Sequence, residues 1–226
     1  MYCVILVAGF GTRMGDLTKD CPKPMLSINK RPKLAYSIDM LPKQINDVVL
    51  VVGYLSEQIE KYFGNKFGDK NIYYVKQKDF NGTAGAVSLA KDIVRDRCLV
   101  LMGDDLYYKK DLEKLLDYKQ GLLAFETNEA QQFGLVDLDS EGYLKSVIER
   151  PHNKTNGLIN TGAYVLSKEY FDMPMIAISN TEYGLPQTLV SMYPKNKTKV
   201  VVAQKWQSIG TPKDLKIAQG RIDEFI

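Results

Sequence analysis

Short apolar runs rich in β-branched residues alternate with segments of helical spacing through the first half of the chain. Val4–Val7 reads as a buried strand that opens into a glycine-rich loop. Lys33–Leu41 has helical spacing, Val48–Val52 reads as a second buried strand, and Ser56 stands where a cap would start a helix running to Phe63. A strand at Ile72–Val75, a helix over Ala84–Ile93 and a strand at Cys98–Leu101 continue the alternation. Strands that are apolar throughout, separated by helices, predict an α/β fold with a mostly parallel sheet buried on both faces. Such sheets bind ligands beyond the carboxyl ends of their strands.

The pattern then changes. Leu122–Phe125, Leu135–Leu138, Tyr143–Ile148 and Ala163–Leu166 read as strands in quick succession, with a turn at Asp139–Gly142. This predicts an antiparallel or mixed extension of the sheet, a small β-rich sub-lobe. Val200–Ala203 adds a strand, and a closing helix is expected over Pro212–Phe225 with Thr211 as its cap. No repeat, low-complexity tract or linker interrupts the chain, so residues 1–226 read as one domain.

Composition narrows the function classes. With 226 residues, a single fold buries roughly 70% of its unfolded surface and needs no disulfide or metal staple. At 45% hydrophobic and 25% charged residues, a disordered tail, a collagen-like rod and a disulfide scaffold are excluded. Cys3, Cys21 and Cys98 are odd in number and lack metal-ligand spacing, so free thiols in a reducing cytoplasm are expected. His152 is the single histidine, which argues against Cys/His zinc sites and multi-histidine catalysis. A net charge of +3 makes no case for bulk nucleic-acid binding. No apolar run approaches the roughly 18 residues of a membrane span, and Cys3–Ala8 lacks the basic flank of a signal peptide. A cytoplasmic location without nucleic-acid or membrane partners is the expectation.

The candidate chemistry begins in Val7-Ala8-Gly9-Phe10-Gly11-Thr12-Arg13-Met14-Gly15. Glycines let backbone amides approach a phosphate closely. A dinucleotide-binding loop and a purely structural turn compete with that reading. Against the dinucleotide site, Arg13 lies where a helix should begin, and the second strand ends in Val52-Gly53 without an acid for a ribose. A Walker loop fails because no Gly-Lys-Ser/Thr occurs. Downstream, Asp20-Cys21-Pro22-Lys23-Pro24-Met25 holds Lys23 between two prolines that fix the backbone. A lone lysine of this kind would read as a solvated loop residue. Together with loop amides and Arg13, it reads as part of a polyphosphate-binding set.

The run Leu6-Val7-Ala8-Gly9, Gly11-Thr12-Arg13-Met14, Leu17-Thr18, Pro22-Lys23-Pro24-Met25 resembles the signature of the sugar-phosphate nucleotidyltransferases. That family includes thymidylyl-, uridylyl- and guanylyltransferases acting on sugar 1-phosphates. Gln77 lies five residues before Gly82-Thr83-Ala84-Gly85, where pyrimidine-using members place a base-reading glutamine. Met102-Gly103-Asp104-Asp105 resembles the metal-binding strand end. Phe133-Gly134, Glu149-Arg150-Pro151 and Asn160-Thr161-Gly162 resemble the three sugar-phosphate segments, and Trp206–Pro212 the closing motif.

The resemblance implies a Rossmann-like nucleotidyltransferase fold, with a nucleotide part over about 1–120 and a sugar-phosphate part over about 121–226. It implies transfer of a nucleoside monophosphate, most simply from UTP or dTTP, to a sugar 1-phosphate, releasing pyrophosphate, for cell-surface polysaccharide precursors. Alternatives are a cytidylyl- or guanylyltransferase using phosphocholine or a heptose phosphate, or a catalytically weak nucleotide-sugar-binding regulator. By the same resemblance Arg13 and Lys23 are catalytic, and Leu6, Ala8, Gly9, Gly11, Thr12, Gln77, Gly82 and Thr83 bind the nucleotide. Gly134, Glu149, Arg150, Asn160 and Thr161 bind the sugar phosphate, and Asp104 binds Mg²⁺. Two departures stand out. Many members have Glu-Lys-Pro where this chain has Glu149-Arg150-Pro151, and a second metal-binding aspartate where it has Ser208. Whether Ser208 or Asp105 supplies a second metal contact stays open, as does the oligomeric state, a homo-oligomer included.

Overall fold

The computed structural model describes residues 1–94 and 96–226. Among the described residues, ten strands form one mixed sheet. Its parallel part comes from the first half of the chain. Strands Tyr2–Leu6, Asp47–Val52, Lys70–Lys76 and Cys98–Met102 run the same way, in the spatial order third, second, first, fourth. The continuous apolar runs are explained by two covered faces. Ile5, Val48, Leu50 and Leu101 pack with Leu34, Ile38, Ile59 and Phe63 on one side. Val4, Val49, Val51 and Val100 pack with Ala84, Val87, Leu185 and Leu189 on the other. Leu50 is completely buried, and truncating such a residue to alanine costs about 2–5 kcal/mol. Strand order reverses between the first and fourth strands, and a crevice opens there at their carboxyl ends.

The second half extends the sheet with antiparallel pairing. Strand Gly157–Leu166 joins the parallel part through Tyr164–Leu166, which pairs antiparallel with Cys98–Val100. Gly121–Thr127 pairs antiparallel along the length of that strand, and Lys199–Val202 adds in parallel beyond it. Leu135–Leu138 and Leu144–Ile148 form the outer hairpin, closed by the expected turn in which the Asp139 side chain accepts from the amides of Glu141 and Tyr143. The strand expected at Ala163–Leu166 begins earlier, at Gly157. Its register shifts between Asn160 and Ala163, so Asn160-Thr161-Gly162 forms a bulge inside a strand. Bulges re-aim side chains toward a site.

Four helices differ from expectation in a boundary or a cap. The helix at Ser56–Phe63 is present, but Ser56 is its buried first residue and makes no capping bond; the chain enters through Leu55 in the left-handed region. The expected Ala84–Ile93 helix starts at Gly82 and ends at Ser88. Beyond it, Ala90, Lys91 and Ile93 bond to carbonyls three residues back, tightening the chain into turns. Lys33–Leu41 is helical over Lys33–Asp39. The closing helix spans Pro212–Arg221 and continues as a 3-10 turn over Ile222–Glu224. Thr211 caps it as expected, in a capping box with Asp214. Just before it, Trp206–Ser208 pairs antiparallel with Asp105–Tyr107, setting Ser208 opposite Asp105. Among the described residues, no helix is long and apolar enough to cross a membrane. Cys3 and Cys98 are buried free thiols and Cys21 is half-buried.

Candidate active site

The glycine loop and the proline-clamped lysine are packed against each other. Gly11 has φ +68°, a left-handed conformation that favours glycine, and a side-chain carbon there would stand 2.9 Å from Lys23 Cβ. The Thr18 hydroxyl donates to the carbonyls of Gly11 and Gly15 at 3.1 and 3.2 Å, fixing the loop from beneath. Thr12–Thr18 is a kinked 3-10 segment where a glycine-rich loop was expected. Pro22 enters a 3-10 turn over Lys23–Met25, and Lys23 is only 9% exposed along its side chain. Its ammonium donates to Asp104 Oδ2 at 2.5 Å.

Asp104 reaches that position because Gly103 has no side chain. A carbon added there would lie 2.3 Å from Val7 Cγ1 and 2.8 Å from the Leu6 carbonyl. The ends of the first and fourth strands therefore close to a backbone hydrogen bond, Gly103 N–H to Leu6 O. Leu6, Gly9, Gly11, Thr12, Arg13, Lys23 and Asp104 line a cavity of about 250 Å³ at this crevice.

Beneath it lies a charged cluster that the sequence reading missed in part. Asp105 is buried; its Oδ2 accepts from Trp206 Nε1 at 3.2 Å and its Oδ1 from the Ile209 amide at 3.4 Å. Burial and the neighbouring Asp104 push its carboxyl up to about 7, against the pull of Lys33 and of a hydrogen bond from the Ser208 hydroxyl. Burial raises the Asp104 carboxyl too, but Lys23 and Lys33 outweigh it and hold the group below its ordinary value. Lys33 is completely buried and its ammonium has no hydrogen-bond partner among the described residues. Burial brings it down to about 8, with Asp104 acting in the opposite direction. One sequence signal was available: Lys33 opens a helix, the end where a positive charge opposes the helix dipole.

A second cavity, of about 270 Å³, adjoins the first and is lined by Leu6, Ala8, Gly9, Gln77, Gly82 and Thr83, with Phe80 and Glu182 beside them. The Gln77 amide nitrogen donates to Asp79 O at 3.1 Å and Asn81 Oδ1 at 3.5 Å, and among the described residues its carbonyl oxygen has no hydrogen-bond partner. Thr83 Oγ1 accepts from the Leu185 amide, so this residue also seats the start of the helix Leu185–Ser191.

The third cavity is the largest of the three, about 700 Å³, and shares Arg13 and Asp104 with the first and Thr83 with the second. Gly134, Glu149, Arg150, Asn160 and Thr161 all line it. Their side chains are held by one another and by the backbone. Asn160 Nδ2 donates to the Tyr164 hydroxyl at 2.7 Å while its Oδ1 accepts from the Gly162 amide. Glu149 Oε1 accepts from Gln187 Nε2, and Arg150 donates to Gln132 O. Thr161 is different: its hydroxyl donates inward to Leu123 O at 2.6 Å and its carbonyl accepts from Tyr107. It anchors the bulge from the core side. Glu182 and Gln187 are lining residues that no sequence pattern had marked. Arg13 faces the closing segment, its Nη1 3.3 Å from where a side chain at Gly210 would begin.

The donor set decides what kind of metal fits. Among the described residues, no three His, Cys, Asp or Glu side chains gather into a metal site. Asp105 is spent on Trp206 and Ile209, Ser208 opposite it offers only a neutral hydroxyl, and Asp104 already holds Lys23. A divalent ion held by the protein alone does not fit. An ion carried in on a triphosphate does, with Asp104 as the carboxylate that lines the glycine-loop cavity.

A Rossmann-like sheet whose switch-point crevice joins a glycine loop, a clamped lysine and an aspartate defines a nucleotide-handling α/β protein. The comparisons specify it further. Residues 2–224 match the family model described as nucleotidyl transferase, and the chain belongs to that family. It is 34% identical over 218 residues to the D-glycero-alpha-D-manno-heptose 1-phosphate guanylyltransferase of Campylobacter jejuni, covering 95% of this chain and 96% of that one. It is equally 34% identical to the bifunctional protein GlmU of Methanocaldococcus jannaschii, where the match covers 95% of this chain and 52% of the relative. The chain thus spans about half the length of the GlmU relatives it matches. Among solved structures it is similar to HddC from Yersinia pseudotuberculosis complexed with GMP-PN, with a TM-score of 0.75, 25% identity and coverage of 98% and 99%.

Proposed function

We propose that this chain transfers a nucleoside monophosphate from a nucleoside triphosphate to a sugar 1-phosphate and releases pyrophosphate. The observation that supports this best is the run of three adjoining cavities: Arg13, Lys23 and Asp104 line one that shares Leu6 and Gly9 with the Gln77 recess and Arg13 and Asp104 with the larger cavity. An oxygen of the sugar phosphate attacks the α-phosphorus, the bond from that phosphorus to the oxygen bridging to the β-phosphate breaks, and pyrophosphate leaves with the electron pair. The attacking phosphate is already ionised near neutral pH, so no general base is required. The obstacle is the meeting of two polyanions, which enzymes overcome by positioning and charge neutralisation.

Each residue has a role in that scheme. The loop amides from Ala8 to Thr12 cradle the triphosphate, and Arg13 neutralises the departing pyrophosphate. Lys23, oriented by Asp104, bridges the α-phosphate and the incoming phosphate. Mg²⁺ neutralises phosphate charge when it accompanies the nucleotide, and Asp104 is the carboxylate that meets it. Glu149, Arg150 and Asn160 hold the sugar phosphate on a bulge fixed by Thr161. In this reading one domain spans 1–226, its nucleotide part about 1–120 and its sugar-phosphate part the rest.

Gln77 selects the base. With its N–H groups engaged, its free carbonyl oxygen accepts from the N3–H of uracil or thymine; cytosine and adenine present an acceptor there instead. UTP or dTTP is therefore the proposed donor. A guanine N1–H satisfies the same oxygen, and the Campylobacter and Yersinia relatives carry guanine in their names or ligand, so GTP is the second reading.

A pyrophosphate-release screen across nucleotides and sugar 1-phosphates tests both. UTP or dTTP is expected to outperform GTP and ATP by about 10-fold or more, in line with ~1–3 kcal/mol for good base readout by a side chain. A lead for GTP moves the assignment to guanylyl transfer. Equal use of ATP removes Gln77 from base selection. No release from any pair overturns the transferase reading in favour of a binding protein.

A further inference from the structure

Phe80 takes no part in the chemistry proposed above, yet it lines the Gln77 recess. Among the described residues that line this recess, it is the one aromatic ring; Leu6, Ala8, Gly9, Gly82 and Ala86 give aliphatic or bare backbone surface. The ring is 42% exposed, a large apolar surface left in water. It is also propped. Its centroid lies 4.7 Å from that of Phe10, and Phe10 lies 5.4 Å from Tyr54. Tyr54 is fixed at both ends, its hydroxyl donating to Lys19 O at 2.7 Å and its amide to Ala8 O at 3.0 Å. Phe10 and Tyr54 line an outer cavity of about 350 Å³ and not the recess, whereas Phe80 lines both, so the row meets Phe80 from outside. The turn that carries Phe80 is tied as well, at Asp79 O by the Gln77 amide nitrogen and at Asn81 O by the Tyr183 amide.

We propose that Phe80 is the stacking platform for the nucleobase, so that Phe80 sets how tightly a base is held while Gln77 sets which base is held. Phe10 is a positioning residue that keeps the Phe80 ring in place. The inference rests on the reading of the Gln77 recess as the base site. A nucleobase is a flat π-surface, and stacking on an aromatic side chain is indifferent to the hydrogen-bonding edge it presents. Small residues leave the recess room for such a ring, and Phe80 gives it a face. Covering Phe80 also withdraws its exposed surface from water. Because Phe10 and the tied turn already hold the ring, little freedom is lost when a base arrives. Phe10 belongs to the glycine loop, so its contact with Phe80 joins the phosphate-binding loop to the base-binding turn.

The test is calorimetric titration of the whole chain with UTP, dTTP and GTP in the presence of Mg²⁺, and with tripolyphosphate, which carries phosphates and no base. Replacing an exposed ring leaves the core untouched, so the variants are expected to fold. Phe80→Ala is expected to bind the preferred nucleotide ~10-fold or more weakly, with tripolyphosphate affinity within ~2-fold of wild type. Phe80→Leu, apolar but without a flat face, is expected to stay at least ~3-fold weak, and Phe80→Trp to return to wild-type affinity or better. Phe10→Ala is expected to lose about 3-fold, and the order of preference among bases is expected to persist in every variant. Phe80→Leu binding as well as wild type overturns the proposal, because any apolar side chain would then serve. An equal loss for nucleotide and tripolyphosphate also overturns it, making Phe80 a support of the phosphate loop, and an unchanged Phe10→Ala overturns the propping. Pyrophosphate release read in parallel separates the two claims. Weakened nucleotide binding in the Phe80 variants with no turnover in the wild type keeps the stacking and loses the transferase; turnover in the wild type with unaltered binding in the variants keeps the transferase and loses the stacking.

Discussion

The two walls of the cleft are built in opposite ways. The wall of the glycine-loop cavity is made of backbone: Gly11 seated on Lys23, Gly103 seated on Leu6 and Val7, and a loop fixed from below by Thr18. The wall of the larger cavity is made of side chains held by hydrogen bonds: Asn160 on Tyr164, Glu149 on Gln187, Arg150 on the Gln132 carbonyl. Under the proposed function the first wall would meet phosphates, which present the same oxygens in every substrate, so rigid amides and a clamped cation would suffice. The second would meet sugars, which differ in the placing of their hydroxyls, and a side-chain network would discriminate among them. The first wall is therefore sensitive to any added atom, and the second tolerates change at a cost in selectivity.

Removing the cation at the junction should have the largest effect. Lys23→Ala keeps the Cβ that packs on Gly11 and leaves Asp104 partly exposed to water, so the fold should persist. Turnover should fall at least ~100-fold, since charge-stabilising groups in such sites are worth roughly 3 kcal/mol. Near-normal steady-state kinetics in a folded variant would remove Lys23 from the mechanism. Next comes Gly103→Ala, where overpacking against Val7 and the Leu6 carbonyl should cost about 1–3 kcal/mol in urea unfolding. It should also displace Asp104 and lower activity. Full stability and activity together would show that the close approach is not required.

On the other wall, Asn160→Ala should raise KM for the sugar 1-phosphate roughly 10-fold while leaving KM for the nucleotide nearly unchanged, the scale of one lost hydrogen-bond pair. Equal rises in both KM values would mean that the walls are not separable. The smallest effect belongs to a residue outside both. Thr211→Ala should lower stability by about 1 kcal/mol through the lost cap, without altering the ratio of the two KM values.

The contrast also explains what could be read in the sequence. Backbone requirements leave a local mark, so Gly9, Gly11, the Pro22–Pro24 clamp and Gly103-Asp104 stood out, and the buried parallel strands were legible from their continuous apolar runs. Side-chain networks leave none. Gln187 and Glu182 reach the cleft from a segment distant in sequence, and nothing in their neighbourhood marks them. Asn160-Thr161-Gly162 was legible as a resemblance but not as a bulge, because the register shift exists only against Gly121–Thr127. Ser56 was misread as a cap because its residue type fits that role; the left-handed Leu55 that starts the helix is imposed by tertiary context. Lys33 was missed because a lysine in the first turn of a helix is ordinarily solvated, and only packing shows it to be inside.

The central claim is that Lys23 and its neighbours join two phosphates across one floor. It is tested most directly by following the α-phosphate of labelled UTP or dTTP in the presence of a sugar 1-phosphate. The account predicts that the label moves into a sugar-linked product as unlabelled pyrophosphate is released. In Lys23→Ala this transfer should drop at least ~100-fold while nucleotide affinity changes by a few-fold at most. Label appearing only as free nucleoside monophosphate, or remaining in bound triphosphate without turnover under every pairing of nucleotide and sugar phosphate, would contradict it.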